Sequence, residues 1–240
     1  MKKKPSQKRS IEYKLTEVVS VVSHQLKTPL SAIKGYLEVL ISEELGGLTE
    51  KQKEYLEDAL ENTKQMINLV RDILDVARVE ADKMEMKPSL TDITKIVEET
   101  VKDFSFLARA RNCELFLETQ EKVPLINIDP IKIKQVITNI ISNAVIYNRR
   151  KGKVMVSLSR QGKKIIFCCK DTGIGITREE KSKIFTKFYR SDRAFVCETA
   201  GSGLGLFISK AIIKKSGGKI WFESQKDKGS TFCFSLPIKQ

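Results

Sequence analysis

The sequence predicts an all-α hairpin that pairs with a second copy as a dimeric four-helix bundle, followed by an α/β sandwich domain. Three observations carry that expectation. Apolar residues repeat at alternating steps of four and three from Leu15 to Ala77. A glycine pair, Gly46-Gly47, interrupts that repeat near its middle. After Met86-Lys87-Pro88 the pattern changes, and short alternating segments appear between helical stretches.

The first helical run reads Leu15, Val19, Val22, Leu26, Pro29, Ile33, Tyr36 and Leu40, the spacing of a packed helical seam. Thr49 followed by Gln52 is a capping-box start for the second run, Leu56, Leu60, Thr63, Ile67, Val70, Leu74 and Ala77. One apolar stripe per helix cannot close a core within one hairpin, so a homodimer is expected. His24, the only histidine, falls on the side of the first helix away from the seam, which exposes its ring. A lone surface histidine commonly does nothing. Pro29 changes that weighing: it leaves the Gln25 carbonyl without its N–H and costs a helix interior ~3 kcal/mol. The bend expected there opens access to His24.

In the second part, Asp92 to about Arg109 reads as a helix and Cys113–Glu118 as a strand. Asp129-Pro130 is a cap and first turn for a helix reaching about Tyr147. Val154–Ser159 and Ile165–Lys170 form a strand pair around Gln161-Gly162. A helix follows Gly205 and ends near Gly217-Gly218. Ile220–Ser224 and Thr231–Leu236 close the domain with a turn at Lys228-Gly229. Such an order suits helices on one face of a mixed sheet.

The 240 residues carry 43 Lys and Arg against 30 Asp and Glu, a net charge of +13 that invites a phosphate partner. Residues 10–82 are net acidic, whereas residues 149–193 alone hold 14 bases and 4 acids. Interleaved aromatics and a recognition helix are missing, so nucleic acid is not expected as a partner. The apolar runs fall well short of the ~18–20 residues of a bilayer span, so no membrane segment is expected. Five cysteines without a C-x-x-C pair, beside one histidine, argue against zinc and for inert reduced thiols.

Three clusters carry chemistry. Asn139 and Asn143 stand one turn apart on one helix face. Asp171-Thr172-Gly173-Ile174-Gly175 follows an apolar strand, where the carboxylate can accept from an exocyclic amine and the glycines let backbone approach a ligand. Gly201-Ser202-Gly203-Leu204-Gly205-Leu206 opens a helix and offers backbone N–H groups to phosphate. Each alone is weak: asparagines are often surface residues, and turns use the same aspartates and glycines.

Together with Phe185-Thr186-Lys187-Phe188 and with Ser23-His24-Gln25-Leu26-Lys27-Thr28-Pro29-Leu30, the clusters closely resemble the catalytic core of a two-component sensor histidine kinase, over about residues 10–238. The resemblance implies a basic arm at 1–9, a dimerisation and histidine-phosphotransfer hairpin at 10–82, a linker at 83–86 and a Bergerat-type (GHKL) ATP-binding domain at 87–240. It implies Mg-ATP as phosphate donor and His24 as acceptor, with an aspartate of a response regulator receiver domain as the next acceptor. Gln25 and Thr28 would complete the catalytic set, with Thr28 orienting a water for dephosphorylating the regulator. Asn143 would be the Mg²⁺ ligand and Asn139 would line the same end. Asp171 would read the adenine amine, with Gly173 and Gly175 giving close approach and Thr231 at the back of the adenine pocket; Tyr147 and Ile176 would join the nucleotide-binding set. Residues 176–203 would form a lid packed by Phe185 and Phe188. Lys187, Arg190, Gly201, Ser202, Gly203, Leu204, Gly205 and Leu206 would face the phosphates.

Two positions depart from the family pattern. Gln25 replaces the usual acidic neighbour of the histidine and cannot take up its proton. Ile146 replaces a lysine near the phosphates, for which Arg149, Arg150 or Lys151 are the available substitutes. These departures motivate the alternative of a nucleotide-binding scaffold that transfers no phosphate. The related topoisomerase and chaperone ATPases use a glutamate where Asn139 stands, and they lack a histidine hairpin. Either a small soluble kinase or the cytoplasmic portion of a membrane-anchored sensor fits the short basic start, so a cytoplasmic location is expected.

Overall fold

The computed structural model describes residues 7–119, 123–197 and 201–238. The side chains of residues 7–17, Ser20 and His24 lie outside that description, and with them the expected exposure of the His24 ring. The chain divides into two compact units, Met1–Met84 and Glu85–Gln240.

The first unit is a helical hairpin of α1 (Gln7–Ile41) and α2 (Glu50–Glu80). Helix α1 runs through Pro29 without interruption. The capping box forms as the sequence predicts: Gln52 N donates to Thr49 Oγ1 at 3.3 Å, and Thr49 N donates to Gln52 Oε1 at 2.9 Å. On α2 the predicted stripe is the covered one, with Thr63 and Ala77 buried and Leu56, Leu60, Ile67, Val70 and Leu74 half-buried. Helix α1 departs from expectation. Its covered positions include Ser23, Leu30, Leu37 and Ile41, while Val22, Leu26, Ile33, Tyr36 and Leu40 of the predicted seam stay exposed. Two apolar stripes interleave on α1, and a periodicity locates a stripe without saying which partner covers it. Tyr55, Met66, Leu69 and Ile73 add a second uncovered row on α2.

The second unit places α3 (Ile93–Ala110), α4 (Pro130–Ile146) and α6 (Gly205–Lys215) on one face of a five-stranded sheet. The strands are β2 (Glu114–Thr119), β4 (Lys153–Gln161), β5 (Lys164–Asp171), β6 (Lys219–Gln225) and β7 (Gly229–Pro237), in the order β2-β4-β5-β7-β6. Among the described strands only β2 and β4 pair in parallel. Alternation fixes the covered face: Val154, Val156, Leu158, Ile165, Phe167 and Phe234 are fully buried under the helices. Phe167 and Phe234 stack there with centroids 4.8 Å apart.

Asp129 caps α4 by accepting from Lys132 N at 3.0 Å, and its other oxygen accepts from Lys87 N at 2.8 Å. This start is the one Asp129-Pro130 predicts. Sequence reading misses β1 (Ser89–Thr91) and β3 (Ile126–Ile128), which pair as a separate ribbon. Three residues are too few to show a period. It also misses the short helix α5 (Asp192–Cys197).

The expectation of five reduced thiols needs correction. Cys168 on β5 stands directly opposite Cys233 on β7, and the two are joined by a disulfide. Cys169, the next residue, points to the other face, fully buried beneath the helices. Register across the sheet, which spacing alone does not reveal, selects the bonded pair.

Candidate nucleotide site

The site gathers at the ends of β5 and β7 and at the facing ends of α4 and α6. Asp171 ends β5 and is 7% exposed. Its Oδ1 accepts from Gly173 N at 2.8 Å and from Ser230 N at 3.1 Å. Burial raises the carboxyl from its ordinary range to about 6, against the lowering pull of those two bonds and of Arg149. Because both backbone N–H groups use Oδ1, Oδ2 is the oxygen left to accept from an exocyclic amine.

The same bonds decide which oxygen takes the proton in acid. Protonation falls on Oδ2 and turns the acceptor into a donor. The chain's affinity for an adenine nucleotide is therefore expected to fall as the pH drops from 7 to 5, with a midpoint near 6. A titration with a fluorescent adenine nucleotide analogue checks this, and a flat profile between pH 7 and 5 contradicts it.

The glycines after Asp171 serve a purpose the sequence does not reveal. A Cβ on Gly173 would lie 2.2 Å from the Tyr147 carbonyl oxygen, and one on Gly175 (φ +61°) would lie 2.0 Å from that of Gln225. Protein backbone itself makes close approaches at these two glycines. Ile174 N donates to Tyr147 O at 3.1 Å, tying the loop to the end of α4. Ile176 N donates to Ser224 Oγ at 2.8 Å.

Arg149 is not a spare phosphate ligand. Its Nε donates to Thr172 O at 2.6 Å and its Nη2 to Gly173 O at 3.2 Å. The Asp227 carbonyl is a further acceptor. The guanidinium thus clamps the Asp171 loop to the turn between β6 and β7. Arg150 stays exposed, and Lys151 sits in a turn with φ +59°.

Thr231 also requires correction. It pairs with Lys170 and Glu223, and strand alternation puts it on the sheet face opposite Asp171. Ser230 is the residue at the carboxylate. It is buried, and its Oγ lies 2.9 Å from Ser224 Oγ. Reading Gly229-Ser230 as the end of a turn, with the strand counted from Gly229, would have found it.

The Asn139 amide donates to Ser209 Oγ at 3.0 Å, and a Cβ on Gly205 would fall 2.1 Å from Asn139 Oδ1. Gly205 thus lets α6 close onto α4. Asn143, one turn further on, is half-buried and makes no side-chain hydrogen bond with the described residues. Leu204, the residue before α6, gives it no side-chain cap, so its first-turn N–H groups remain for an anion. A hard cation and a polyphosphate fit this set: an amide oxygen and backbone donors facing one end.

In the lid, Phe185 packs edge-on against Phe222 with centroids 5.9 Å apart. Phe188 departs from expectation: it is 66% exposed with φ +59°. Its strained backbone meets Gly203, where a Cβ would lie 2.8 Å from the Phe188 carbonyl carbon. Arg190 Nη1 donates to Gly201 O at 2.9 Å, and its guanidinium stacks over Phe195 at 5.2 Å. The Lys187 ammonium lies 5.9 Å from the Phe207 ring centre. Leu204 is fully buried, Ser202 and Leu206 are half-buried, and Ser202 Oγ accepts from Leu204 N at 3.3 Å. Lid residues 198–200 lie outside the described residues.

Comparison with known proteins identifies two domain families along the chain. The His Kinase A (phospho-acceptor) domain family matches residues 14–82. The histidine kinase-, DNA gyrase B- and HSP90-like ATPase family matches residues 128–240. The circadian input-output histidine kinase CikA of Synechococcus elongatus is 32% identical over 92% of this chain and 30% of its own length. Sensor histidine kinase WalK of Bacillus subtilis is 31% identical over 98% of this chain and 38% of its own length. The chain thus spans about a third of these curated relatives. Among solved structures, full-length ShkA in complex with AMPPNP superposes with a TM-score of 0.74 at 26% identity, over 93% of this chain and 46% of that one. A catalytic domain of histidine kinase ThkA gives 0.56 at 29% identity, over 65% of this chain and 97% of that one. With its phospho-acceptor hairpin followed by an ATPase-type α/β domain, the chain belongs to the two-component sensor histidine kinases, of which it carries the catalytic core.

Proposed function

We propose that the chain is a protein-histidine kinase that transfers the γ-phosphoryl group of ATP to His24 and from there to an aspartate of a response regulator. The observation that carries the nucleotide half is Asp171, buried with one oxygen held by two N–H groups and the other left to accept. ShkA, bound to AMPPNP, supports an adenine nucleotide as the ligand. Asn143, with Asn139 beside it, would hold Mg²⁺, whose charge neutralises the phosphate oxygens.

The acceptor half rests on His24, on α1 within the matched phospho-acceptor region. A neutral imidazole is already a nucleophile at neutral pH. One ring nitrogen forms the N–P bond as the bond to ADP breaks, and the other gives up its proton afterwards. Gln25 can accept a hydrogen bond from that N–H but cannot remove the proton. Gln25→Glu is therefore expected to speed initial phosphate incorporation on the order of tenfold or more. Rapid-quench measurement of the two rates checks it, and equal rates refute it.

Residues 10–82 are taken as the dimerisation and phosphotransfer hairpin and 87–240 as the catalytic domain, with the arm 1–9 and linker 83–86 outside them. The uncovered rows on α1 and α2 support pairing of two hairpins. Thr28, one turn past His24, would orient a water against the phosphorylated regulator. Lys187 and Arg190 would face the phosphates from the lid. Use of ATP supports a cytoplasmic site of action. No described helix is long and apolar enough to cross a membrane.

Incubation with γ-labelled ATP and Mg²⁺ tests the proposal. The expected product is a label stable to alkali and labile to acid, as a phosphoramidate requires. Nucleotide binding without any label would favour the non-transferring scaffold instead.

A further inference from the structure

The Cys168–Cys233 bridge lies outside the kinase chemistry and has its own place in the fold. It joins β5 and β7 at directly opposed positions on the sheet face away from the helices. That face is open to reagents: the neighbouring rows present Met155 and Phe116, and Trp221, which stands opposite Cys233, is 39% exposed. Cys168 is half-buried and Cys233 buried, so an incoming thiolate meets Cys168 Sγ first.

The two strands so joined are the ones that build the adenine carboxylate. Asp171 follows Cys168 by three residues on β5, and Ser230 precedes Cys233 by three on β7. The bond from Ser230 N to Asp171 Oδ1 spans the same strand pair, at 3.1 Å. A covalent tie nearby restricts relative sliding and fraying of the strand ends, so it keeps Oδ1 on its two N–H donors and Oδ2 aimed at the ligand. Disulfides in compartments where glutathione keeps thiols reduced are characteristically transient and redox-sensing. An ATP-consuming kinase works in such a compartment, which is where this inference rests on the proposed function.

We propose that Cys168 and Cys233 are a reversible dithiol–disulfide pair that sets the chain's affinity for nucleotide, tighter when oxidised. A dithiol reductant supplies the reaction. Its thiolate attacks Cys168 Sγ, the S–S bond breaks, and Cys233 leaves as a thiolate that takes up a proton. The second thiol of the reductant then attacks the mixed disulfide and closes to a cyclic disulfide, freeing Cys168. Two electrons and two protons pass to the protein, and a low-molecular-weight disulfide reverses the change by the same two exchanges.

The whole chain, equilibrated against reduced and oxidised dithiothreitol in varied ratio, provides the test. Acid quenching, then unfolding and alkylation in denaturant, followed by mass measurement, should give five modified cysteines when reduced and three when oxidised, since Cys113, Cys169 and Cys197 carry free thiols and the first two are buried in the fold. The emission of Trp221, the only tryptophan, should change with the same midpoint, because a disulfide on the adjacent strand quenches an indole. Affinity for a fluorescent ATP analogue should be at least threefold tighter in the oxidised form. Cys168→Ser/Cys233→Ser should hold the reduced-form affinity at every ratio. Five alkylated cysteines at every ratio, or equal affinity in the two forms, overturn the inference. A chain that binds no nucleotide in either form, yet still shows the thiol and emission changes, refutes the kinase reading and the coupling but leaves the redox pair standing.

Discussion

His24→Gln is expected to incorporate no phosphate from labelled ATP, while its nucleotide affinity stays at the wild-type value. The chain contains a single histidine, so a phosphoramidate has no second imidazole to form on. An amide nitrogen lends its lone pair to the adjacent carbonyl and is no nucleophile, so the loss should exceed ~10³-fold. Glutamine is also a good helix former, and α1 should keep its helical content within a few tenths of a kcal/mol. Electrophoresis of the labelled protein reads the first effect, and titration with the nucleotide analogue reads the second. Residual labelling near the wild-type level would assign the acceptor elsewhere. Lost nucleotide affinity would mean that the variant had damaged the fold.

Asp171→Asn should show the opposite split, losing nucleotide and keeping or gaining stability. Asparagine Oδ1 can still accept from Gly173 N and Ser230 N, so the loop stays anchored. Its NH₂ group then occupies the place of Oδ2 and meets the ligand amine donor to donor. Losing a charge-assisted bond (roughly 1.5–3 kcal/mol) and leaving a misdirected donor (roughly 1–3 kcal/mol) should weaken binding on the order of 100-fold or more. Stability moves the other way. The folded carboxyl, raised to about 6 from 3.8, binds a proton more readily than the unfolded one. Keeping it ionised therefore destabilises the fold fully above pH 6, and the penalty is relieved as the pH falls through 6 towards 4. Asparagine removes that penalty, so at pH 7 the variant's melting temperature should match or exceed that of wild type. A lower melting temperature together with lost binding would make Asp171 a structural residue only.

The helices and strands legible in sequence are those with room for a period. Asp129-Pro130 and Thr49 with Gln52 announce their helices because a cap is a local hydrogen bond between near neighbours. The ribbon of Ser89–Thr91 with Ile126–Ile128 is held by partners far apart in the chain and leaves no local trace. Within the site, motif spacing finds Asn139, Asp171 and Gly205, whose residue types are dictated by chemistry or by close contact. Residue type does not single out Ser230, because it contributes a backbone N–H that any residue but proline supplies; only counting the strand from Gly229 locates it. Arg149 reads as a phosphate ligand because charge is visible in sequence, whereas the three carbonyls that occupy it are not. Cross-strand register likewise hides the pairing of Cys168 with Cys233.

The uncovered rows on the hairpin give the two units different thermodynamic variables. Where Val22, Leu26, Ile33 and Tyr36 are covered by a second copy, the hairpin's folding free energy includes an association step and depends on the amount of chain present. The α/β unit, with Phe167, Phe234 and Ile140 already enclosed by its own helices, closes its core within one chain and is insensitive to dilution. In such a dimer, mass action would govern the hairpin half and leave the α/β half untouched.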